Sequence, residues 1–401
     1  MSGVRVLEVA AWTYVPMAGG VLAEWGADVL KIEHPEGGDP QRGLISSGLI
    51  PGTGANFAHE HPNRGKRSVG LDLGTEEGRE VLLKLAETSD VFLTSFLPAA
   101  RRRLRIDVDD IRAVNPSIIY VRGSGHGQRG PEAEAGGYDG CTFWARGGSM
   151  DIATPLGAEY PVNQPGGAYG DTMGGGTIAG GIAAALFHRE RTGEAVTVDC
   201  SLLGMGVWAT AFSLAMCSTF GLESFPKGSR LQAPNPIVNT YKTSDDRFFM
   251  LVMLQSDRYW APLMQVVGRP ELADDPRFVD AAARAEHKQE CIEVLDEIFA
   301  SRTFEEWKNV LAEQEGVYAA VQTPREVIDD PQVKANNYVQ DVVAEDGTTF
   351  KLVAAPLEFN ETPVQITRAP GLGEHTDAVL QELLGLEMEQ ILDLKVKGAV
   401  L

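Results

Sequence analysis

The sequence predicts an α/β fold in which helices cover both faces of a parallel β-sheet. Short apolar runs alternate with helical segments in the first third of the chain, a pattern typical of parallel sheets. The chain has 401 residues, of which 43% are hydrophobic and 23% charged, so it is globular and long enough for more than one domain. From about Phe225 the pattern changes to a hairpin and polar amphipathic helices, which indicates a smaller α+β domain.

The alternation begins at the N-terminus. A strand is predicted from Val4 to Val9, and a helix follows from about Pro16 to Gly26, because proline favours a first turn and glycine a C-cap. A second strand covers Val29–Ile32. The next predicted elements are the strand Ser68–Leu73, the helix Glu76–Ser89, and the strands Val91–Leu93 and Ile118–Val121.

Residues 123–176 are rich in glycine and turn formers, so we expect a long irregular segment of the kind that carries function. A helix from about Thr172 to Arg189 and a strand at Val196–Val198 follow. Leu202–Phe220 is predicted as one apolar helix that is buried or contacts another subunit. We therefore expect a large domain from residues 1–222, a small domain at 223–323, and a C-terminal part, 324–401, that returns to the large domain.

The charge and the cysteines restrict the partners and the compartment. A net charge of -21 argues against nucleic acid or an anionic membrane surface as a partner. Arg5 and Glu8 interrupt the first apolar stretch, so we expect a cytoplasmic protein without a signal peptide or membrane span. No metal site is expected, because the spacing in His59-Glu60-His61 is short. The four cysteines lack CxxC spacing and are predicted to be reduced core thiols: Cys141, Cys200, Cys217 and Cys291.

Asp171 stands immediately before a glycine-rich helix start in Tyr169–Gly176. Backbone N–H groups at a helix start favour negative charge, so we expect an ionised carboxylate within reach of a ligand. Such a carboxylate could attack a thioester carbonyl, with the backbone amides of Gly174 and Gly175 stabilising the oxyanion. The alternative is that Asp171 is an ordinary N-cap.

Other motifs allow other functions. Gly174, Gly176 and Ala179 fit the dinucleotide fingerprint, with Asp199 about 20 residues further on, but no buried strand precedes them. Two basic segments could hold phosphates or could be solvated surfaces: Arg101, Arg102, Arg103 and Arg105 after the Val91 strand, and Asn63–Arg67. His126 is a candidate acid or base, or an ordinary loop histidine.

Taken together, these segments resemble the family III CoA-transferases over nearly the whole chain. The resemblance depends on the order and spacing of several short motifs: Leu7-Glu8-Val9, Gly26–Glu33, Asn63–Ser68, Leu71-Asp72-Leu73, Gly136–Asp139, Gly170-Asp171, Thr192–Ser201, Asp275–Phe278 and Gly373–Thr376.

The resemblance implies a Rossmann-like large domain built from both ends of the chain, a smaller α+β domain, and an interlocked homodimer. It also implies that Asp171 is the nucleophile, acting through a mixed anhydride and an aspartyl-CoA thioester. Coenzyme A would enter as the acyl-CoA substrate, with no permanently bound cofactor and a carboxylic acid as acceptor. The matching CoA-binding positions are Trp12, Thr13, Tyr14, His34, Leu71, Ser95, Phe96, Arg103 and Tyr138.

Two alternatives remain from the same comparison of motifs. α-Methylacyl-CoA racemases share the fold and use a histidine that Tyr138 replaces here, and a tyrosine is a poor base at neutral pH. A CoA-binding protein without turnover, in which Asp171 is only a cap, is the second alternative.

Overall fold

The computed structural model describes residues 1–49 and 55–401 and divides into two compact units. The larger unit comprises Met1–Thr154, Glu159–Phe225 and Pro331–Leu401. The smaller unit comprises Pro155–Ala158 and Pro226–Asp330.

The larger unit contains a six-stranded sheet in the order β3-β2-β1-β4-β5-β6, and every neighbouring pair is parallel. This arrangement confirms the predicted parallel α/β fold. The strands are β1 (Arg5–Val9), β2 (Asp28–Glu33), β3 (Arg67–Gly70), β4 (Val91–Thr94), β5 (Ile119–Ser124) and β6 (Thr197–Ser201). The helices of this region are α1 (Tyr14–Glu24), α2 (Phe57–Asn63), α3 (Glu76–Glu87), α4 (Pro98–Leu104), α5 (Val108–Val114), α6 (Ser149–Ala153), α7 (Tyr169–Thr192), α8 (Leu202–Ala209) and α9 (Ala211–Phe220).

Helices pack on both faces of this sheet because the strands are apolar on both faces. On one face α1 and α7 lie together over β1, β4 and β5, with Val15, Leu22 and Ile182 fully buried. On the other face α3 and the C-terminal helices form a second core. The strand order reverses between β1 and β4, and ligands of such sheets bind at the carboxyl ends of the strands near that point.

The smaller unit contains an antiparallel three-stranded sheet in the order β7-β8-β9. The predicted hairpin is its first pair, and its core is aromatic, with Trp260, Phe299 and Trp307 buried. The elements are β7 (Val238–Lys242), β8 (Phe248–Val252), α10 (Ser256–Val266), α11 (Ala281–Glu286), α12 (Lys288–Phe299), α13 (Phe304–Leu311), β9 (Tyr318–Ala320) and α14 (Pro324–Asp329).

The C-terminal part packs on the edge of the large sheet. Val400 pairs with Leu71, just after β3, and the His375 amide donates to the Ser68 carbonyl at 2.9 Å. Its elements are α15 (Pro331–Ala335), β10 (Val339–Val343), β11 (Thr349–Val353), α16 (Thr376–Leu384) and α17 (Met388–Val396).

The prediction of one continuous apolar helix over Leu202–Phe220 is wrong. The chain bends by 66° between α8 and α9, where the Thr210 hydroxyl donates to the carbonyls of Gly147 and Gly206. The apolar side chains are also not buried within the chain, since Trp208 is 77% and Phe212 79% exposed. Within the described ranges no single helix meets the length and hydropathy needed to cross a membrane, and only the bent α8–α9 pair meets them jointly.

Candidate active site

A cavity of about 390 Å³ lies at the carboxyl ends of β1, β4 and β5, beside the position where the strand order reverses. The loops after these strands and the start of α7 form its wall. Six of the predicted site residues line it: Trp12, Tyr14, Ser95, Phe96, Tyr138 and Asp171.

Asp171 is the third residue of α7, because the N-cap is Ala168, which has a left-handed backbone with φ of 59°. Asp171 is therefore not an N-cap, and that alternative is wrong. The cap function belongs to Asp139, whose carboxylate accepts the Gly170 amide at 3.0 Å and the Gln164 side-chain amide at 3.1 Å.

Burial raises the pKa of Asp171 to about 7, and the charge of Asp139 adds to the shift. We expected the helix start to keep this carboxylate ionised. That expectation holds only in part, because burial disfavours the ionised form, and the negative charge of Asp139, which accepts the Gly170 amide, disfavours it further. At neutral pH the site thus holds a partly buried carboxyl group that is poised between its neutral and ionised forms.

Gly174 and Gly175 lie in the second turn of α7, on the face that packs against α1. A Cβ atom at Gly174 would lie 2.3 Å from Cε2 of Tyr14, and one at Gly175 would lie 2.5 Å from Cβ of Met17. Close helix packing therefore requires both glycines. Helical amides beyond the first turn bond to carbonyls four residues earlier, and a role of these two amides toward an oxyanion stays a prediction.

A buried ion pair holds the loop after β1. Lys31 donates to Asp39 at 2.8 Å, and Asp39 also accepts the Trp12 amide at 3.2 Å. These bonds hold Trp12 in a left-handed backbone, with φ of 68°, which is unusual for a residue with a large side chain. The Trp12 ring meets the Tyr138 ring edge to face, with centroids 5.8 Å apart. Thr13 lies outside the cavity wall and accepts the Gln41 side-chain amide at 2.6 Å.

A second cavity of about 320 Å³ contains the other predicted CoA contacts, His34, Leu71 and Arg103. Phe96 lines both cavities, so the two lie next to each other. Arg103 also lines a smaller polar cavity of about 210 Å³, together with Arg79 and Arg105. A chain of cavities thus leads from Asp171 to a group of three arginines.

The basic cluster after β4 divides into different roles. Arg101 is buried, donates to the Phe96 carbonyl at 2.8 Å and pairs with Asp107 at 3.2 Å, so it holds the loop in place. Arg102 pairs with Glu134 at the surface. Arg103 and Arg105 remain as the cations of this cluster that face a cavity.

Both interpretations of Asn63–Arg67, a phosphate site or a solvated surface, are wrong. Lys66 is buried and donates to both carboxylate oxygens of Glu8 at 2.8 Å, and Arg64 is buried against Glu24. The dinucleotide interpretation is also wrong, because Gly174–Ala179 lies inside α7 and does not form the turn after β1. Asp199 is paired with Arg122 at 2.6 Å.

His126 does not line the Asp171 cavity; its ring contacts the Gly136 carbonyl at 3.3 Å and Arg146 at 3.4 Å.

The four thiols are free, but only Cys291 is fully buried and Cys141 is exposed, so the prediction of core thiols holds for one of them. Over residues 1–49 and 55–401, no group of three or more histidine, cysteine or acidic side chains is placed to hold a metal ion.

Sequence reasoning gave no role to Asp139 or Gln164. Asp139 ends the motif Gly136–Asp139, so the signal was present, but its partner Gly170 is 31 residues away in sequence. Only the folded chain brings this carboxylate to the start of α7.

The chain is similar to known proteins in both sequence and structure. Residues 1–376 match the sequence profile of CoA-transferase family III. Succinate–glutarate CoA-transferase from Agrobacterium fabrum is 34% identical over 401 residues, covering 96% of each chain. (R)-2-hydroxy-4-methylpentanoate CoA-transferase from Clostridioides difficile is 29% identical over 397 residues, covering 98% of each chain. The crystal structure of Rv3272 from M. tuberculosis superposes with a TM-score of 0.79 at 28% identity, covering 94% of this chain and 98% of that one. The chain therefore belongs to CoA-transferase family III and is a CoA-transferase.

Proposed function

We propose that the enzyme moves CoA from an acyl-CoA to a carboxylic acid, with the carboxylate of Asp171 as the nucleophile. The observation that carries the proposal is the position of Asp171 in the wall of the cavity at the switch point of the sheet, beside Trp12, Phe96 and Tyr138. Relatives named as CoA-transferases for succinate and glutarate and for a hydroxy acid support this reaction class.

The proposed reaction has four steps, and each forms one bond to a carbonyl carbon and breaks another. An oxygen of Asp171 attacks the thioester carbonyl, and the CoA thiolate leaves to give a mixed anhydride. The thiolate then attacks the carbonyl of Asp171, which releases the donor acid and leaves an aspartyl-CoA thioester. The acceptor carboxylate attacks that thioester and expels the thiolate, giving a second anhydride. Attack of the thiolate on the acceptor carbonyl releases the new acyl-CoA and restores the Asp171 carboxylate.

The environment of Asp171 suits a group that is first nucleophile and then leaving group. A pKa of about 7 leaves a substantial ionised fraction at neutral pH, while partial burial keeps water away from the anhydride and thioester. Asp139 orients the start of α7, and thereby the nucleophile, through the amide of Gly170.

We infer that the CoA chain runs from Asp171 past Phe96 to the arginine group. The edge-to-face pair of Trp12 and Tyr138 forms an apolar wall for the pantetheine arm, and Ser95 lies on the opposite loop. Arg79, Arg103 and Arg105 surround a polar cavity that suits the phosphates of the nucleotide. His34 and Leu71 line the space between these ends. Coenzyme A takes part only as a portion of the acyl-CoA substrate and of the acyl-CoA product.

We also propose an interlocked homodimer in the cytoplasm. Exposed apolar side chains along α8 and α9, among them Trp208, Phe212 and Phe220, support a subunit contact because a patch of this kind is costly in water. The four free thiols are consistent with a reducing compartment.

Transfer of oxygen to Asp171 tests the proposed reaction. Each round of turnover with an acceptor acid labelled with ¹⁸O in both carboxylate oxygens replaces one oxygen of Asp171 with a labelled one, which peptide mass spectrometry detects. In parallel, incubation with an acyl-CoA and hydroxylamine converts Asp171 into a hydroxamate. The variant Asp171→Asn should acquire neither the ¹⁸O label nor the hydroxamate. A label or hydroxamate on another residue overturns the assignment of the nucleophile.

The alternative functions give other results. Exchange of the α-proton with deuterated water and no adduct would indicate racemisation, whereas binding without either reaction would indicate a CoA-binding protein.

A further inference from the structure

We propose that the hydroxyl of Tyr14 is a further catalytic group, which donates a hydrogen bond to the carbonyl oxygen of Asp171 when that carbonyl is attacked. The inference rests on the proposed function, in which the Asp171 carbonyl is attacked twice. The first attack is by the CoA thiolate on the anhydride, and the second is by the acceptor acid on the aspartyl-CoA thioester. Each attack places a negative charge on an oxygen of Asp171.

Tyr14 and Asp171 line the same cavity although they belong to different helices. Tyr14 is the first residue of α1, directly after the loop that holds Trp12, and only 7% of its surface is exposed. Its ring packs against α7 at Gly174, three residues after Asp171. An oxygen of Asp171 that becomes charged therefore has a hydroxyl donor nearby on the protein itself.

The Tyr14 hydroxyl is buried and has no hydrogen-bond partner of good geometry in the described part of the chain. The thiol of Cys200 lies near it, and sulfur is a weak partner for a hydroxyl group. A buried donor without a partner destabilises a fold, and such groups are rare in proteins. The Tyr14 hydroxyl would gain a hydrogen-bond acceptor during the reaction, when negative charge develops on an oxygen of Asp171.

The Tyr14 ring is also held in place. Its Cε2 atom lies 2.3 Å from the position that a Cβ would take at Gly174, and its Cε1 atom lies 3.2 Å from the corresponding position at Gly123. The ring thus fills the space between α7 and β5 that these two glycines leave open. A donor fixed in this way loses little freedom when it bonds to the oxyanion, which is the property that makes such donors effective.

The hydroxyl keeps its proton throughout the working range. Burial raises the pKa of Tyr14, and the neighbouring Cys200 and Asp171 raise it further. Tyr14 therefore acts as a hydrogen-bond donor and does not act as a base.

The decisive variant is Tyr14→Phe, which removes only the oxygen. The aspartyl-CoA adduct is formed with an acyl-CoA, separated from excess substrate and mixed with hydroxylamine or an acceptor acid. We expect the adduct of Tyr14→Phe to react about 10–100-fold more slowly than that of the unchanged enzyme. We expect its melting temperature to stay the same or rise, because an unsatisfied buried hydroxyl is removed.

Tyr120→Phe is the matched control. Tyr120 is also buried, on β5, but its hydroxyl donates to the Ile106 carbonyl at 2.7 Å. This variant should melt earlier and keep the reactivity of its adduct, which is the reverse of the result expected at Tyr14.

Equal adduct reactivity in Tyr14→Phe and the unchanged enzyme overturns the inference and leaves the proposed function intact. A fall in the melting temperature of Tyr14→Phe by more than about 5 °C also overturns it, since the hydroxyl would then have a structural partner. If the unchanged enzyme forms no aspartyl-CoA adduct, the proposed function fails, and this inference fails with it.

Discussion

The carboxylate of Asp139 accepts a hydrogen bond of 3.0 Å from the backbone amide of Gly170, the residue before the proposed nucleophile Asp171. Asp139 therefore fixes the start of α7 and places a negative charge close to Asp171. The first effect orients the nucleophile, and the second adds to the larger effect of burial in raising its pKa.

Replacing Asp139 with Asn separates the two effects, because the amide oxygen can still accept from Gly170 while the charge is lost. We expect the pKa of Asp171 to fall, so kcat/KM should persist to a lower pH than in the unchanged enzyme, where it declines as pH falls through about 7. The measurement is the pH profile of kcat/KM. Asp199→Asn, which removes a surface charge paired with Arg122, serves as control and should leave the profile in place. An unmoved profile in Asp139→Asn would contradict the electrostatic role.

Removal of the Asp171 charge should stabilise the protein at high pH. The folded pKa of Asp171 is raised to about 7 from an ordinary value of 3.8, so the folded chain binds more protons than the unfolded chain between these values. The cost of ionisation is absent below about pH 4 and is complete above about pH 7. At about 1.4 kcal/mol per pKa unit, Asp171→Asn should raise the free energy of unfolding at pH 8 by up to about 4 kcal/mol. Urea unfolding at pH 8 and near pH 4 measures this, and an equal gain at both values would contradict it.

Two glycines of α7 make a matched pair for testing its contact with α1. A Cβ at Gly174 would lie 2.3 Å from the Tyr14 ring, whereas a Cβ at Gly176 would meet nothing within 4 Å. Gly174→Ala should lower the free energy of unfolding by about 1–3 kcal/mol through overpacking and should displace Tyr14. Gly176→Ala should raise it by up to about 1 kcal/mol through helix propensity. Denaturant unfolding of both variants tests this, and similar changes in the two would show that the packing contact is unimportant.

Arg103→Ala tests the nucleotide end of the proposed CoA path. Loss of a charged hydrogen bond to phosphate should raise KM for acyl-CoA about tenfold or more, with a smaller effect on kcat. The neighbouring Arg102→Ala, which breaks a surface pair with Glu134, should change KM little. An acyl-pantetheine without the nucleotide should not distinguish Arg103→Ala from the unchanged enzyme. If it does, Arg103 affects the site by another route.

The proposed homodimer can be tested at α9. Phe212 is 79% exposed in the chain alone, so Phe212→Glu should prevent association if this face is covered by the partner subunit. Sedimentation should then give the mass of one chain, or aggregation if the monomer cannot fold alone. The control is Val396→Glu at the end of α17, another exposed apolar residue, which should leave the dimer intact.

The order of strands and helices could be predicted because each strand is a short apolar run between helical segments. Val6, Leu30 and Phe92 are completely buried, as their pattern indicated. The bend at Thr210 could not be predicted, since it depends on a bond to the carbonyl of Gly147, 63 residues away. Local sequence shows that a threonine is present but does not show which carbonyl its hydroxyl will reach.

The wall of the candidate cavity was predictable where its residues match a family motif, as Trp12, Ser95 and Asp171 do. It was not predictable where function depends on distant charges. The segment Asn63–Arg67 was predicted to be a phosphate site or a solvated surface, yet Lys66 is buried because it pairs with Glu8 on the central strand. The same limit applies to the pKa of Asp171, which depends on its burial in the fold and on Asp139.

Phe96 forms part of the wall of both neighbouring cavities. On the proposed path, the pantetheine arm of CoA would contact the Phe96 ring between the nucleotide and the thioester. The same side chain would then affect both the binding of CoA and the position of the reacting bond. Substitutions in the loop after β4 would then alter CoA binding and the reaction together. Substitutions near Leu202, in another part of the wall of the first cavity, could change which acids are accepted and leave CoA binding unchanged.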